Sequence, residues 1–141
     1  MQLLGSEHSL IICVDCGTLS HEAIESEHQS EIIILDHHLA NETLPKCHAI
    51  VNPNRQDELG NLHHLCAASV VFLCLVEMCR LLRNNDQKTP DLLEFLDLVA
   101  LATVADVAPL IGVNRAFVRQ GLKILAKRKR LGLAALSDQI K

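Results

Sequence analysis

Aromatic residues are scarce in this sequence: its 141 residues include three Phe, no Tyr and no Trp. Lysine and arginine together number 13 against 17 aspartates and glutamates, so the formal net charge is -4. Proteins that bind single-stranded nucleic acid usually combine a basic groove with aromatic rings on which bases stack. Composition alone therefore gives no indication of a nucleic-acid-binding surface.

Long apolar runs are also missing. No stretch reaches the roughly 18 apolar residues that a membrane-spanning helix needs, and the first ten residues lack the basic start and apolar core of a secretory signal. We therefore expect a cytoplasmic protein with no membrane association. With 49% hydrophobic and 21% charged residues, the chain has the composition of one soluble domain that can bury a core.

The cysteines do not indicate a disulfide framework. Cys66, Cys74 and Cys79 lie in an apolar run, where a thiol behaves as a small hydrophobic group. Cys13 and Cys16 form a C-x-x-C pair, which would suit a redox centre or half of a zinc site. Because the sequence contains no second pair, we interpret these thiols as reduced and structural.

The first half of the chain predicts an α/β fold. Residues 10–15 and 31–36 are short runs rich in Ile and Val, with the length of strands buried on both faces. The polar segment between them, which Ser20 would cap, has the length of a short helix. Such a strand, helix, strand unit predicts parallel strands. Residues 48–51 form a third candidate strand, closed by an Asn-Pro-Asn turn.

The second half predicts helices. Residues 62–83 indicate a long, mostly buried helix, and residues 89–105 indicate another, with Pro90 in its first turn. Asn114 is expected to cap a third helix that ends near Arg130. The last ten residues are expected to begin a further helix.

These patterns divide the chain into an α/β part at about residues 9–60 and a helical part at about residues 61–141. Residues 127–130 read Lys-Arg-Lys-Arg, with further cations upstream at near-helical spacing. Such a run suits contact with a phosphate backbone. Cations also favour the C-terminal end of a helix, and a solvated helix end is the commoner arrangement.

Polar residues follow two of the predicted strands. Asp15 ends the first strand, and Asp36, His37 and His38 end the second. Because ligands bind at the carboxyl ends of parallel strands, we expect these side chains to project toward one crevice. Carboxylates and imidazoles suit Mn²⁺, Mg²⁺ or Zn²⁺, and a metal pair can clamp the oxygens of a phosphoryl transfer. Loop capping would explain Asp15 alone, whereas the Asp-His-His set favours a site.

Two further aspartates lie in the helical half. Asp106 ends a mostly apolar stretch, where a carboxylate must reach solvent, cap a helix or bind a cation, so a ligand role fits it. Asp97 lies in the same stretch at a spacing that fits an exposed stripe. We therefore interpret Asp97 as structural.

Several segments carry a family resemblance. They are ICVDCGTLSHEAI, IIILDHHLANETLP, AIVNPNRQDELG, HLCAASVVFLCL and DLVALATVADVAPLIGVNRAFVRQGLKIL. Together they resemble RecJ-type single-stranded-DNA exonucleases of the DHH phosphoesterase superfamily over nearly the whole chain. The Asp-His-His motif alone would indicate only the superfamily, which includes manganese pyrophosphatases and small-oligonucleotide phosphodiesterases. The VNPNR and NRAFVRQGL segments are the ones that look specific to RecJ.

The resemblance implies a metal centre. It makes Asp15 the carboxylate that bridges two ions, Mn²⁺ or Mg²⁺, and makes His37 and Asp106 ligands of one of them. His38 would contact the scissile phosphate. Asp36 would orient the cluster, as groups behind the ligands commonly do.

The resemblance also implies a substrate. Arg55 and His64 match positions near the substrate path, although a solvated loop and a helix start would explain them equally. The implied reaction is hydrolysis of single-stranded DNA from its 5′ end by water activated at the metal, as in DNA repair and recombination.

The sequence departs from the family pattern at its ends. The first family motif, a strand that ends in two aspartates before a glycine, is missing, and so is the C-terminal substrate-binding domain. We therefore expect an incomplete domain that is inactive when isolated and whose partners are single-stranded DNA and the missing parts of the parent nuclease. The alternatives are a non-catalytic binding or scaffold protein with the same fold, and a small-substrate phosphoesterase that hydrolyses pyrophosphate or oligonucleotides.

Overall fold

The computed structural model describes residues 8–139. These residues divide into two compact units, with the boundary between Val71 and Phe72. The first unit carries the strands and the second is helical, and one long helix begins in the first unit and continues into the second.

The first unit contains a parallel sheet. Strand β1 (Leu10–Val14) pairs with β2 (Glu31–Leu35), and β2 pairs with β3 (Ala49–Val51), so the order across the described sheet is β1-β2-β3. Helix α1 (His21–Glu25) forms the crossover from β1 to β2. Ser20 occupies the N-cap position, but its side chain makes no capping hydrogen bond. The predicted α/β fold with a parallel sheet is confirmed.

The three strands end level with one another. Val14 lies opposite Leu35, and Leu35 lies opposite Val51. The ladder continues one step further, because the Asp15 amide donates to the Leu35 carbonyl and the Asp36 amide donates to the Val51 carbonyl, each at 3.0 Å. The residues that follow the strands therefore leave the sheet along one edge.

The core of the first unit lies on one face of this sheet. Ile32 and Ile34 of β2 pack there with Cys13 of β1 and Ile24 of α1, and all four are buried. The other face of β1 is exposed, with 53% of Ile12 accessible. The prediction that the strands are buried on both faces is therefore wrong for β1, because α1 packs against the opposite face.

The described part of the second unit is built from helices. These are the continuation of α2 (Ala67–Asn84), a short 3-10 helix (Leu92–Phe95), α3 (Leu96–Ala105), α4 (Gly112–Leu125) and α5 (Leu131–Gln139). The core of this unit contains Phe72 and Cys79 from α2, which lie seven residues apart on one stripe, together with residues of the 3-10 helix and α3. The four predicted helical regions are confirmed, although their boundaries differ.

Helix α2 begins five residues later than predicted and is less buried. Leu62 and Leu65 form a turn before it, in which the Leu65 amide donates to the Leu62 carbonyl. Apolar residues on its outer side are exposed, including Met78 at 49% and Leu81 at 50%. The prediction of a mostly buried helix is therefore wrong for its second half. No helix among the described residues is long and apolar enough to cross a membrane.

The starts of the next helices also differ from prediction. Asp91 caps the 3-10 helix, since its side chain accepts from the Leu93 amide at 3.0 Å, so Pro90 lies outside the first turn. Helix α4 begins at Gly112, and Asn114 is buried inside it instead of capping it. The Asn114 side chain donates to the Pro109 carbonyl at 3.0 Å and so ties the helix start to the preceding loop.

The tight contact in the second unit is between α3 and α4. A Cβ atom added to Gly121 of α4 would lie 2.1 Å from the Leu96 carbonyl oxygen and 2.4 Å from the Ala100 Cβ of α3. Ordinary contacts between carbon atoms are about 3.5–4.0 Å. Only glycine therefore allows the two helices to approach this closely.

Candidate metal centre

Three side chains converge beyond the C-terminal ends of β1 and β2, which lie side by side in the sheet. Asp15, His37 and His38 each offer a ligand atom, and these atoms all lie within 4.8 Å of one another. Within this group, His37 Nε2 lies 3.1 Å from Asp15 Oδ1. The convergence predicted from the ends of two parallel strands is therefore present for these residues.

Asp15 leaves β1 in an unusual backbone conformation. Its φ is +62°, in the left-handed region, which aspartate tolerates better than most residues. The amide of Asp15 stays on the sheet ladder while 62% of its side chain is accessible. The turn thus places a carboxylate in solvent beside the histidines.

Asp36 lies behind this group and is 2% exposed. Burial would raise its pKa, but hydrogen bonds from the His38 ring, from Thr18 and from the His37 amide outweigh burial and hold the pKa well below its usual range. The His37 amide donates to Oδ1 at 2.8 Å, and the Thr18 amide donates to Oδ2 at 3.1 Å. Asp36 is thus a buried carboxylate that organises the backbone around it.

Asp36 also fixes the ring of His38. His38 Nδ1 lies 2.8 Å from Asp36 Oδ1, and because a carboxylate can only accept, Nδ1 carries the proton of this hydrogen bond. In the neutral ring the lone pair is then on Nε2. A partner that holds Nδ1 in this way is the usual arrangement for a histidine that binds a metal through Nε2.

His37 is oriented in the same manner by a different acceptor. Its Nδ1 lies 3.2 Å from the Leu65 carbonyl oxygen, which accepts, so the lone pair of the neutral ring is on Nε2. That atom faces Asp15 Oδ1 at 3.1 Å. Two acceptors at this distance repel each other unless a proton or a cation lies between them. The donor set therefore fits a divalent cation that prefers oxygen and imidazole ligands.

Residues 52–54 hold the loop that carries the two histidines. The Asn52 side chain donates to the His38 carbonyl at 2.9 Å, and the Asn54 side chain donates to the His37 carbonyl at 2.6 Å. Asn52 also donates to Thr18 Oγ1 at 3.0 Å. The sequence predicted this Asn-Pro-Asn segment as a turn but not its contacts with the site, and nothing in the sequence indicated Thr18.

The structure places Arg55 at the end of the same segment. Its Nε donates to Asp57 Oδ1 and its Nη1 donates to the Ile50 carbonyl, each at 2.9 Å. The hydrogen bond to the Asp57 carboxylate raises the pKa of Arg55. The guanidinium is thus held in place, but its charge is partly matched by Asp57, and a substrate contact remains a prediction.

His64 lies just before α2, beside His63, with the two rings edge to face at 5.7 Å between centroids. The side chain is half-buried, and both ring nitrogens are shielded from solvent. A substrate contact by this ring would require it to turn outward. This assignment also remains a prediction.

Asp106 belongs to the second unit, at the C-terminal end of α3. It is exposed, and its amide donates to the Ala102 carbonyl at 2.9 Å. The next residue, Val107, has φ +54° and closes the helix where glycine is usual, with the Ala108 amide donating to the Thr103 carbonyl. Since Asp106 and the Asp15 group lie in different units, its part in a metal centre remains a prediction.

Asp97 is not on an exposed stripe, so that interpretation is wrong. It is 4% exposed, and its carboxylate accepts from Arg130 Nε at 2.6 Å. The whole basic run lies beyond α4 instead of forming its end. Lys129 pairs with Glu94 at 2.8 Å, and Arg128 pairs with Asp138 at 2.6 Å. Three of the four cations of the run thus contact carboxylates of the same unit.

All six cysteines occur as thiols. Cys13 is buried and Cys16 is exposed. Burial is the main cause that raises the pKa of each thiol; the neighbouring thiols Cys16 and Cys47 add to it for Cys13, and the carboxylates of Asp36 and Asp15 add to it for Cys16. A raised pKa disfavours the thiolate that redox chemistry and metal binding need, which agrees with a structural role for the C-x-x-C pair.

Comparison with known proteins gives the family. The model of the DHH family, N-terminal domain, matches residues 2–103. This chain belongs to the DHH family. The family match covers the sheet, the Asp-His-His group and α2, and it ends inside α3.

Within the DHH family the chain resembles one kind of nuclease. It is 40% identical over 138 residues to the single-stranded-DNA-specific exonuclease RecJ of Escherichia coli, and 39% identical to that of Dickeya dadantii. Each match covers 92% of this chain and 24% of the relative. The chain therefore spans about a quarter of the length of these relatives.

Solved structures give the same result. The chain superposes on a manganese-bound exonuclease RecJ with a TM-score of 0.75 and 34% identity, covering 94% of this chain and 33% of that one. For the RecJ of Thermus thermophilus in complex with Mn²⁺ the TM-score is 0.73 at 34% identity, covering 93% of this chain and 19% of that one. The predicted resemblance to RecJ is confirmed.

Proposed function

We propose that this chain carries part of the active site of a RecJ-like exonuclease, which uses Mn²⁺ or Mg²⁺ to hydrolyse single-stranded DNA from its 5′ end. The observation that carries the proposal is the opposition of His37 Nε2 and Asp15 Oδ1 at 3.1 Å, with His37 Nδ1 already bonded to a backbone carbonyl. An arrangement that presents two acceptors to one point is suited to a cation. The similarity to RecJ proteins solved with manganese supports the choice of metal.

Three residues of the chain would serve as metal ligands. Asp15 and His37 would hold the cation, and Asp106 would add a carboxylate from the second unit. When bound, a divalent cation makes water more acidic and neutralises charge on the phosphoryl oxygens.

The neighbouring residues would act on the substrate and on the ligands themselves. His38, whose Nδ1 donates to Asp36, would contact the scissile phosphate as an imidazolium, because a phosphate oxygen accepts and Nε2 must then carry a proton. Asp36 would stay ionised and hold both histidine amides, since its pKa lies well below the usual range.

Arg55 and His64 would contact the DNA strand beyond the scissile phosphate. Arg55 is held by the Ile50 carbonyl at 2.9 Å, so its guanidinium is positioned before DNA arrives. A DNA phosphate would replace the Asp57 carboxylate as the partner of this guanidinium, because both groups offer oxygen acceptors to the same guanidinium donors.

We also propose that the chain works in the cytoplasm together with the remaining parts of a RecJ-like nuclease. Its six cysteines are thiols, which agrees with a reducing compartment. The relatives are about four times longer than the matched region, so the other parts would complete the metal and DNA sites.

The proposal is tested by an assay of the full chain with 5′-labelled single-stranded DNA and Mn²⁺, alone and after addition of the rest of a RecJ relative. We expect release of 5′ nucleotides in the completed enzyme and loss of at least about 100-fold in rate for Asp15→Ala. Glu42→Ala, which removes an exposed carboxylate of the same unit, serves as the matched control. Equal cleavage by the wild type and Asp15→Ala would contradict the assignment.

A further inference from the structure

The loop that carries His37 and His38 is held by side chains of the segment after β3. This loop follows β2 directly and belongs to no helix or strand, so its backbone needs partners outside regular structure. Asn52 and Asn54 provide them. The Asn54 side chain donates to the His37 carbonyl at 2.6 Å, and the Asn52 side chain donates to the His38 carbonyl at 2.9 Å.

The two asparagines are themselves fixed. The Asn52 side-chain oxygen accepts from the Asn54 amide at 2.8 Å, which joins them into one unit. Asn52 is 3% exposed and also donates to Thr18 Oγ1 at 3.0 Å. Asn54 reaches a second carbonyl, that of His63, at 3.2 Å.

The same network reaches the buried carboxylate. Thr18, whose exposure is 0%, accepts from Asn52 and donates its amide to Asp36 Oδ2 at 3.1 Å. Asp36 Oδ1 accepts from the amides of His37 and His38 and from the His38 ring. Each histidine residue is therefore held on both sides, with its amide bonded to Asp36 and its carbonyl bonded to an asparagine.

We propose that Asn52 and Asn54 are positioning residues of the metal centre: they act as an amide clamp that fixes the backbone of His37 and His38 so that both rings face Asp15. This inference rests on the proposed function, because the clamp matters for activity only if these histidines serve a cation. An amide suits Asn52, since its nitrogen donates to both the His38 carbonyl and Thr18 Oγ1 while its oxygen accepts from a backbone amide, and a hydroxyl has only one proton to donate.

The variants Asn52→Asp and Asn54→Asp test the clamp because they keep the shape and remove the donor. The matched control is Asn61→Asp, which adds the same charge at an exposed position of the same unit. The first measurement is amide hydrogen exchange by NMR on the metal-free full chain. We expect the His37 and His38 amides to exchange at least about 10-fold faster in both variants, with Ile33 and Ile34 of β2 unchanged.

The second measurement is Mn²⁺ affinity by isothermal titration calorimetry. We expect a loss of about 10- to 100-fold in Asn52→Asp and Asn54→Asp, and none in Asn61→Asp. The direction of the change in Mn²⁺ affinity is informative, because an added carboxylate by itself attracts a cation and would tighten binding. Exchange at His37 and His38 that equals the wild type, or Mn²⁺ affinity that equals the control, would overturn the clamp.

A third variant leaves both asparagines in place, so it tests the clamp even if the asparagine variants fail to fold. Thr18→Val keeps the shape of Thr18 and its amide bond to Asp36 but removes the hydroxyl that accepts from Asn52 and bonds to Asp36. We expect a larger increase in exchange at His38, whose carbonyl Asn52 holds, than at His37, whose carbonyl Asn54 holds; an equal change at both would again overturn the clamp. Failure of the wild-type chain to bind Mn²⁺ would instead contradict the proposed function, since the exchange measurement is made without metal.

Discussion

Replacement of Gly121 by alanine tests the packing of the second unit most sharply. The added Cβ would lie 2.1 Å from the Leu96 carbonyl oxygen and 2.4 Å from the Ala100 Cβ. Both atoms belong to α3, and one is backbone, so no side-chain rotation relieves the clash. Helices α3 and α4 would have to move apart by more than about 1 Å to restore contacts of about 3.5 Å.

The change in the free energy of unfolding is the difference between two opposing effects. Overpacking of a core costs about 1–3 kcal/mol, and a clash with backbone belongs at the upper end of that range. Alanine is favoured over glycine inside a helix by about 1 kcal/mol, which offsets part of the cost. We therefore expect Gly121→Ala to lower the free energy of unfolding by about 2 kcal/mol, or the melting temperature by about 6 °C.

The assay is thermal and urea unfolding of the full chain, followed by circular dichroism. Gly132→Ala is the matched control, because a Cβ at Gly132 of α5 meets no atom within 4 Å. We expect this control to be neutral or slightly stabilising. A Gly121→Ala variant as stable as Gly132→Ala would refute the close approach of the two helices.

Two further substitutions test other features of the second unit. Arg130→Ala should destabilise the chain by about 1–3 kcal/mol in urea unfolding, because it leaves the Asp97 carboxylate buried without its cation. The control Arg128→Ala breaks an exposed pair and should cost less than about 1 kcal/mol. Equal losses of stability in the two variants would contradict this expectation. Val107→Gly should stabilise the chain by about 0.5–1 kcal/mol in the same assay, because it relieves the left-handed backbone of a β-branched residue that is 86% exposed; a loss of stability would show that the valine side chain matters.

The sequence predicted the part of the site that depends on regular structure. Parallel strands ending in Asp15 and in the Asp-His-His motif must bring those residues to one edge, and this follows from the pattern of apolar runs alone. Thr18 and Asn52 could not be found in this way. Their contacts depend on how two loops fold over the strand ends, and loop geometry has no periodic signal.

The prediction failed where burial depends on distant partners. Asp97 lies on α3, where apolar residues occur on nearly every side, so spacing does not indicate which face packs. Its cation, Arg130, lies 33 residues away and beyond the end of α4. The predicted end of α4, near Arg130, lies beyond its observed end at Leu125, because a cationic run fits a helix end as well as the turn that follows it.

The proposed metal site consists of Asp15 and His37, which hold a divalent cation at the ends of β1 and β2. Its most direct test is the affinity of the full chain for Mn²⁺, measured by isothermal titration calorimetry for the wild type, Asp15→Asn and His37→Ala, with Asp57→Asn as control. We expect saturable binding by the wild type and by Asp57→Asn, and a loss of affinity of at least about 10-fold in the other two variants. Equal affinity in all four proteins would contradict the proposed site.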